Sequence, residues 1–134
     1  MTGPLGDAHV DKPQVNIFAL CEKVIRDQSG RASLLGIFDT INFPAFPATF
    51  RFFLFVQVNA PPGSYQIALY VSPADEDLPQ KSFEDSTIIG DGSLGTEIVG
   101  QFEPTFGSPG LFEFRLYIDG VPALTRPFHV RQSG

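Results

Sequence analysis

Along most of this chain apolar and polar positions alternate with a period of two. Phe112, Phe114, Leu116 and Ile118 share one parity and Glu113, Arg115, Tyr117 and Asp119 the other. That spacing puts successive side chains on opposite faces of a strand and leaves no helical stripe. An Asp119-Gly120 pair separates this run from residues 121–130, which predicts a two-residue hairpin turn. Tyr65, Ile67, Leu69 and Val71 alternate in the same way with Gln66, Ala68 and Tyr70. Residues 15–25 (VNIFALCEKVI) and 32–43 form two further strand-like runs around Asp27-Gln28-Ser29-Gly30, with Gly30 suited to a positive φ in the turn.

Prolines divide the rest. Pro44-Ala45-Phe46-Pro47 removes ladder donors within four positions, so the chain is expected to cross between sheets there. Pro61-Pro62-Gly63 reads as a firm turn between a strand at 50–59 and one at 65–71. Residues 73–95 read as the least regular stretch, with one short strand near 87–89. A strand at 96–102 and a loop at 104–110 follow. Pro122 and Pro127 predict that the last strand lies at a sheet edge.

These elements predict an all-β fold: a two-layer antiparallel β-sandwich of seven to eight strands with immunoglobulin-like or jelly-roll-like topology. The Cys and Trp spacing of a true immunoglobulin domain is absent, since the chain has one Cys and no Trp. Residues 1–14 read as a flexible N-terminal arm, 15–131 as a single domain, and 132–134 as a C-terminal tail. With 134 residues, one domain can bury a core without metal or disulfide staples. Fourteen Phe against one Met, with 13 Gly and 12 Pro, suit short strands and turns.

A net charge of −6 argues against nucleic acid, whose phosphates are bound by clustered Lys and Arg, and against an anionic membrane surface. No apolar run approaches the roughly 20 residues of a membrane-spanning helix. The first 13 residues lack a basic start and an apolar block, so they do not read as a secretory signal, and a soluble, cytoplasmic protein is expected.

Candidate chemistry is thin. Gly90-Asp91-Gly92-Ser93-Leu94-Gly95 is a literal G-x-G-x-x-G, but the residues after it alternate like a strand, whereas a dinucleotide site needs a helix there. No cofactor is expected. Asp75-Glu76-Asp77, with Glu84, Asp85 or Asp91, could supply oxygen ligands to Ca²⁺ but lacks EF-hand spacing, and no metal site is assigned. His9 lies in the arm and His129 on the solvent side of the last strand, so neither has triad partners. Cys21, inside an apolar strand, reads as a buried thiol rather than a nucleophile. No catalytic residue is assigned.

The anomaly is Phe50-Arg51-Phe52-Phe53-Leu54-Phe55-Val56-Gln57-Val58. One parity is uniformly apolar, as a core face should be, yet the other carries Phe53 and Phe55. Either the arm, the Pro44–Pro47 crossover or the acidic loop covers these two rings, or they form an interface with another copy or another protein.

Cys21-Glu22-Lys23-Val24, Ser29-Gly30, Ser33-Leu34-Leu35-Gly36-Ile37-Phe38-Asp39 and Phe46-Pro47-Ala48 together resemble a family of short bacterial proteins known only as a domain of unknown function. The resemblance implies a bacterial, β-rich domain over most of residues 15–130 and carries no activity. Two functions remain: a non-enzymatic interaction or assembly module with a protein partner or a homo-oligomer, and a small-ligand or carbohydrate-binding sandwich in which Tyr65, Tyr70 or Tyr117 stacks on a ring.

Overall fold

In the computed structural model, residues 12–74 and 80–133 are described, side chains of 80–83 excepted. They form eleven strands and no helix: β1 (Gln14–Arg26), β2 (Ala32–Ile37), β3 (Thr40–Phe43), β4 (Ala48–Thr49), β5 (Phe52–Asn59), β6 (Gly63–Pro73), β7 (Gln80–Ile89), β8 (Gly95–Phe102), β9 (Thr105–Phe106), β10 (Gly110–Ile118) and β11 (Val121–Gln132). A four-stranded sheet runs β2-β1-β5-β8, a five-stranded sheet runs β3-β11-β10-β6-β7, and β4 pairs with β9 in a small ribbon. Every pairing is antiparallel except β3 with β11.

The fold is all-β as the alternation requires. The strand count exceeds the expected seven to eight because three elements of two to four residues, β3, β4 and β9, are too short to show periodicity. Gln132 ends β11 rather than opening a tail.

The inward parities of both large sheets make one core. Phe18, Leu20, Phe52, Leu54, Val56 and Ile98 come from the four-stranded sheet, and Ile67, Leu69, Phe114, Leu116, Phe128 and Val130 from the five-stranded one. Phenylalanine dominates it: Phe114 stacks on Phe128 at 4.7 Å between centroids and meets Phe52 edge-on at 5.9 Å. Such offset and edge-to-face pairs add about 0.5–1.5 kcal/mol each beyond area burial.

The last hairpin forms as predicted, with positive φ at Asp119 (51°) and Gly120 (78°), the signature of a type I′ turn. Its second strand is an edge only in part. Beyond Phe128, residues His129–Gln132 of β11 pair with β3, so Pro122 and Pro127 occupy the half that has β10 alone as partner. The missing proline donors therefore face no second strand.

The chain changes sheets inside an apolar run that shows no break. The Phe38 amide donates to Leu20 O on β1 at 3.0 Å, whereas the carbonyl of the next residue, Asp39, accepts from His129 N on β11 at 2.9 Å. The expected single run 32–43 is thus two strands in different sheets. The Pro44–Pro47 segment then leads away from β3, through β4, and back to the four-stranded sheet at β5.

The stretch 73–95 is also more regular than predicted. β7 is ten residues long and pairs with β6 from Gly63↔Ile89 to Val71↔Gln80. Its edge position lets Glu84, Asp85 and Ser86 face solvent, which hides the alternation. Most of the proposed arm, including His9, and the acidic triplet Asp75-Glu76-Asp77 lie outside the described residues.

Candidate functional site: the covered face of the four-stranded sheet

Phe53 and Phe55 project from the face of β5 turned away from the core. The register puts Cys21 and Gln101 beside Phe53, and Ala19 and Val99 beside Phe55. A bare outer face would expose these rings, yet Phe55 is 4% exposed, Cys21 is 0% exposed and Phe53 is half-buried. Neither Phe55 nor Cys21 belongs to the central core cluster. Something covers this face from outside.

The cover is the far end of the β1–β2 hairpin. β1 pairs with β5 as far as Cys21↔Phe53 and thereafter only with β2. Glu97 on β8 stands in the row of Gln57 and Ile17. Arg26 is nine positions beyond Ile17 on β1, so a straight strand would carry it about 30 Å away at roughly 3.3 Å per residue. Instead Arg26 Nη1 donates to Glu97 Oε1 at 2.7 Å, and Arg26 shares a surface depression with Asn16, Gln57 and Asn59. The hairpin has therefore doubled back over the outer face of its own sheet, a cover that is not among the three expected from sequence; most of the arm and the centre of the acidic loop lie outside the described residues.

The crease lies at Glu22 and Gly36. The pairing steps from Cys21↔Ile37 to Lys23↔Leu35 without a Glu22–Gly36 partnership. Gly36 has φ +67°, and a Cβ there would stand 2.9 Å from the Glu22 side chain. An L-residue seldom takes that conformation, which explains a glycine inside an otherwise apolar strand. Beyond the crease, Val24 and its cross-strand partner Leu34 are half-buried, as is Ala32, the partner of Arg26. These form the underside. The opposite parity, Ile25, Leu35 and Ile37, is 42%, 48% and 64% exposed.

The turn at the tip is internally tied. Asp27 carboxylate oxygens accept from the backbone amides of Ser29 (2.8 Å) and Arg31 (2.9 Å) and from Arg31 Nε (2.8 Å), and Arg26 Nη1 also donates to Gly30 O at 2.9 Å. The Arg31 backbone amide first, helped by the Arg31 side chain and the Ser29 and Gly30 amides, holds the Asp27 carboxyl below its ordinary range. Gly30 takes φ +83°, as the sequence predicts for the turn.

The remaining candidates are scattered. Burial pushes the Cys21 thiol up, the reverse of an activated nucleophile. His129 is exposed. Gly90, Gly92 and Gly95 join β7 to β8: Gly92 takes φ +83° in the turn and Gly95 opens a strand. A Cβ on Gly95 would lie 2.1 Å from Val58 O, so this glycine serves close strand pairing. Among the described residues no three His, Cys, Asp or Glu side chains gather as metal ligands, and no helix is long and apolar enough to cross a membrane.

Of the three tyrosines, Tyr65 donates its hydroxyl to Pro61 O at 2.5 Å. Tyr70 and Tyr117 meet edge-to-face at 5.3 Å on the outer side of the five-stranded sheet. There they border a shallow groove with Gln66, Ala68, Glu84 and Gly120. In the sequence only the glycine inside Leu34-Leu35-Gly36-Ile37 marks the doubled-back hairpin.

Solved structures resemble this fold at low identity. An alkylpurine DNA glycosylase, AlkC, from Pseudomonas fluorescens, bound to DNA containing an abasic site analog, superposes with a TM-score of 0.51 at 10% identity. The match covers 90% of this chain and 31% of the glycosylase. A β-glucosidase from Listeria innocua gives 0.49 at 12% identity over 86% of this chain and 16% of the enzyme. The superoxide reductase (neelaredoxin) of Ignicoccus hospitalis gives 0.37 at 10% identity, over 98% of this chain and 88% of the reductase. The chain thus spans under a third of the glycosylase and about a sixth of the glucosidase, and the likeness is one of fold alone. No curated protein matches it in sequence. The profile of one family matches residues 16–131, nearly the whole of the described fold, and the chain belongs to that family, the family of unknown function DUF6941.

Proposed function

We propose that this chain is a non-enzymatic protein-interaction or assembly module, soluble and cytoplasmic in a bacterial cell, whose partner is a second copy of itself. The two large sheets are read as the layers of an immunoglobulin-like sandwich. On that reading β5 and β8 correspond to strands B and E, and β6, β10 and β11 to C, F and G, with β7 added beside C. A fold of this kind is a scaffold whose function lies in what it displays.

The observation that carries the proposal is the β1–β2 hairpin. Its outer face presents Ile25, Leu35 and Ile37, and β2 is an edge strand, ASLLGI, without a charge or a proline to guard it. The hairpin also suits self-association electrostatically. Lys23, Arg26 and Arg31 oppose Glu22 and Asp27, so it is slightly cationic within a chain of net charge −6, and two copies repel least where hairpins meet. Sedimentation of the purified chain over a hundredfold range of concentration tests this. A concentration-dependent dimer that Leu35→Glu with Ile37→Glu weakens is the expected result. A monomer at every concentration removes the proposal.

A second reading rests on the Tyr70–Tyr117 groove, where two rings, Gln66 and Glu84 surround a floor of Ala68 and Gly120. A saccharide would stack on a ring and hydrogen-bond to the amide and carboxylate. A glycan panel in which binding is lost with Tyr117→Ala supports it; no binding to any glycan sinks it.

A further inference from the structure

We propose that the β1–β2 hairpin is an exchangeable arm: in the assembled form it leaves its own sheet and covers the Phe53–Phe55 face of a second copy. This rests on self-association as the mode of assembly and specifies how it is achieved.

Three observations lead here. The first is that the covered face is apolar and shaped to one occupant. Phe55 and Cys21 are sealed and Phe53 half-sealed by a hairpin whose underside is Val24, Leu34 and Ala32. A surface complementary to a segment of its own chain is complementary to the same segment of another copy, so the exchanged form keeps every contact of the closed one. The exposed outer face, with Leu35 and Ile37, brings two copies together, and exchange of the arms adds no further interface.

The second is the hinge. The ladder between β1 and β2 misses the Glu22–Gly36 pair, and Gly36 holds the crease with φ +67°. Straightening two positions turns the hairpin from a flap into a two-stranded arm that projects past the end of the sheet, while β1 stays paired to β5 through Cys21. Exchange by movement at a short, conformationally unusual hinge needs little unfolding.

The third is the latch. The tip is fastened across the sheet by Arg26–Glu97, whose side chains are themselves partly exposed. An exposed pair of this kind holds weakly, so the arm lifts at little cost, and because both forms keep the same contacts their balance is set mainly by concentration.

Charge swaps test the arm directly. Chains carrying Arg26→Glu have like charges at the latch when closed, and so do chains carrying Glu97→Arg. If hairpins exchange, mixing the two variants restores both latches, because each arm then meets an opposite charge on the other chain. Native mass spectrometry of the mixture, with one variant isotopically labelled, is expected to show heterodimer at about nine-tenths of all dimer, against roughly half for random mixing. Dimers in the random ratio overturn exchange and leave self-association standing. Absence of dimer in the wild-type chain and in the mixture overturns both. A circular-dichroism melt of each variant alone confirms that the fold persists, so a loss of structure is not read as a loss of assembly.

Discussion

Arg26 and Glu97 lie 71 positions apart in sequence and on strands separated by β5, yet their side chains meet at 2.7 Å. That single contact reports the path of the β1–β2 hairpin, because an extended β1 would place Arg26 about 30 Å from the row of Glu97. It also gives the fold two apolar compartments on opposite sides of one sheet: a large core between the sheets and a small one beneath the hairpin.

The latch governs access to the small compartment more than it governs stability. The two side chains are 41% and 34% exposed, so losing the ion pair through Arg26→Ala costs at most about 1 kcal/mol, and the melting temperature moves little. Cys21, the chain's one thiol, lies at the crease with 0% exposure. Its labelling by a maleimide requires the hairpin to lift, and is expected to accelerate several-fold in the variant. An unchanged labelling rate would mean that the bond does not hold the hairpin down.

The two apolar layers of the hairpin region differ in cost. Phe55→Ala empties a sealed position and is expected to destabilise the chain by about 3 kcal/mol. Ile37→Ser, on the exposed outer side, should stay within about 0.5 kcal/mol. Urea unfolding of both variants checks this, and equal costs would show that the hairpin does not bury Phe55.

Gly95 and Gly36 are both required, for different reasons. A Cβ at Gly95 meets the backbone carbonyl of Val58 at 2.1 Å, which cannot move without breaking the β5–β8 ladder. Gly95→Ala should cost about 2–3 kcal/mol or prevent folding. At Gly36 the nearest atoms belong to the flexible Glu22 side chain, and the cost is that of the positive φ, about 1 kcal/mol. Thermal melts of the two alanine variants should rank them in that order, and the reverse ranking would contradict the close approach at β8.

How much of this was legible follows from what each feature depends on. The β10–β11 hairpin depends on alternation and an Asp-Gly turn, both local, and appears where the residues place it. The sheet change at Phe38–Asp39 depends on which neighbour each amide finds, and the apolar run through it continues without a break. β7 was obscured because charged residues on an edge strand resemble those of a loop. The anomaly at Phe53 and Phe55 was legible as an anomaly, but its resolution was not. The hairpin that covers Phe55 precedes it by about 20 to 30 positions, and only Gly36, a residue that reads as an ordinary weak point in a strand, marks where the chain doubles back.

The hairpin tip should loosen in acid through Asp27. Its carboxylate accepts from the Arg31 and Ser29 amides and from the Arg31 side chain, and these bonds favour the charged form, so its folded pKa lies below the ordinary value of 3.8. A group with a depressed folded pKa contributes stability above its unfolded pKa, and that contribution is lost as pH falls through the folded value. The tip is therefore expected to stay intact at neutral and mildly acidic pH and to loosen only below about pH 4. Amide chemical shifts of Ser29 and Arg31, followed by NMR during acid titration, should move together with a midpoint under 3.8. Asp27→Asn keeps one acceptor oxygen and removes the charge, so the same amides should then show no titration in that range. A midpoint at the ordinary value in the wild-type chain would mean that the turn does not hold the carboxylate, and that the tip is fastened by Arg26 alone.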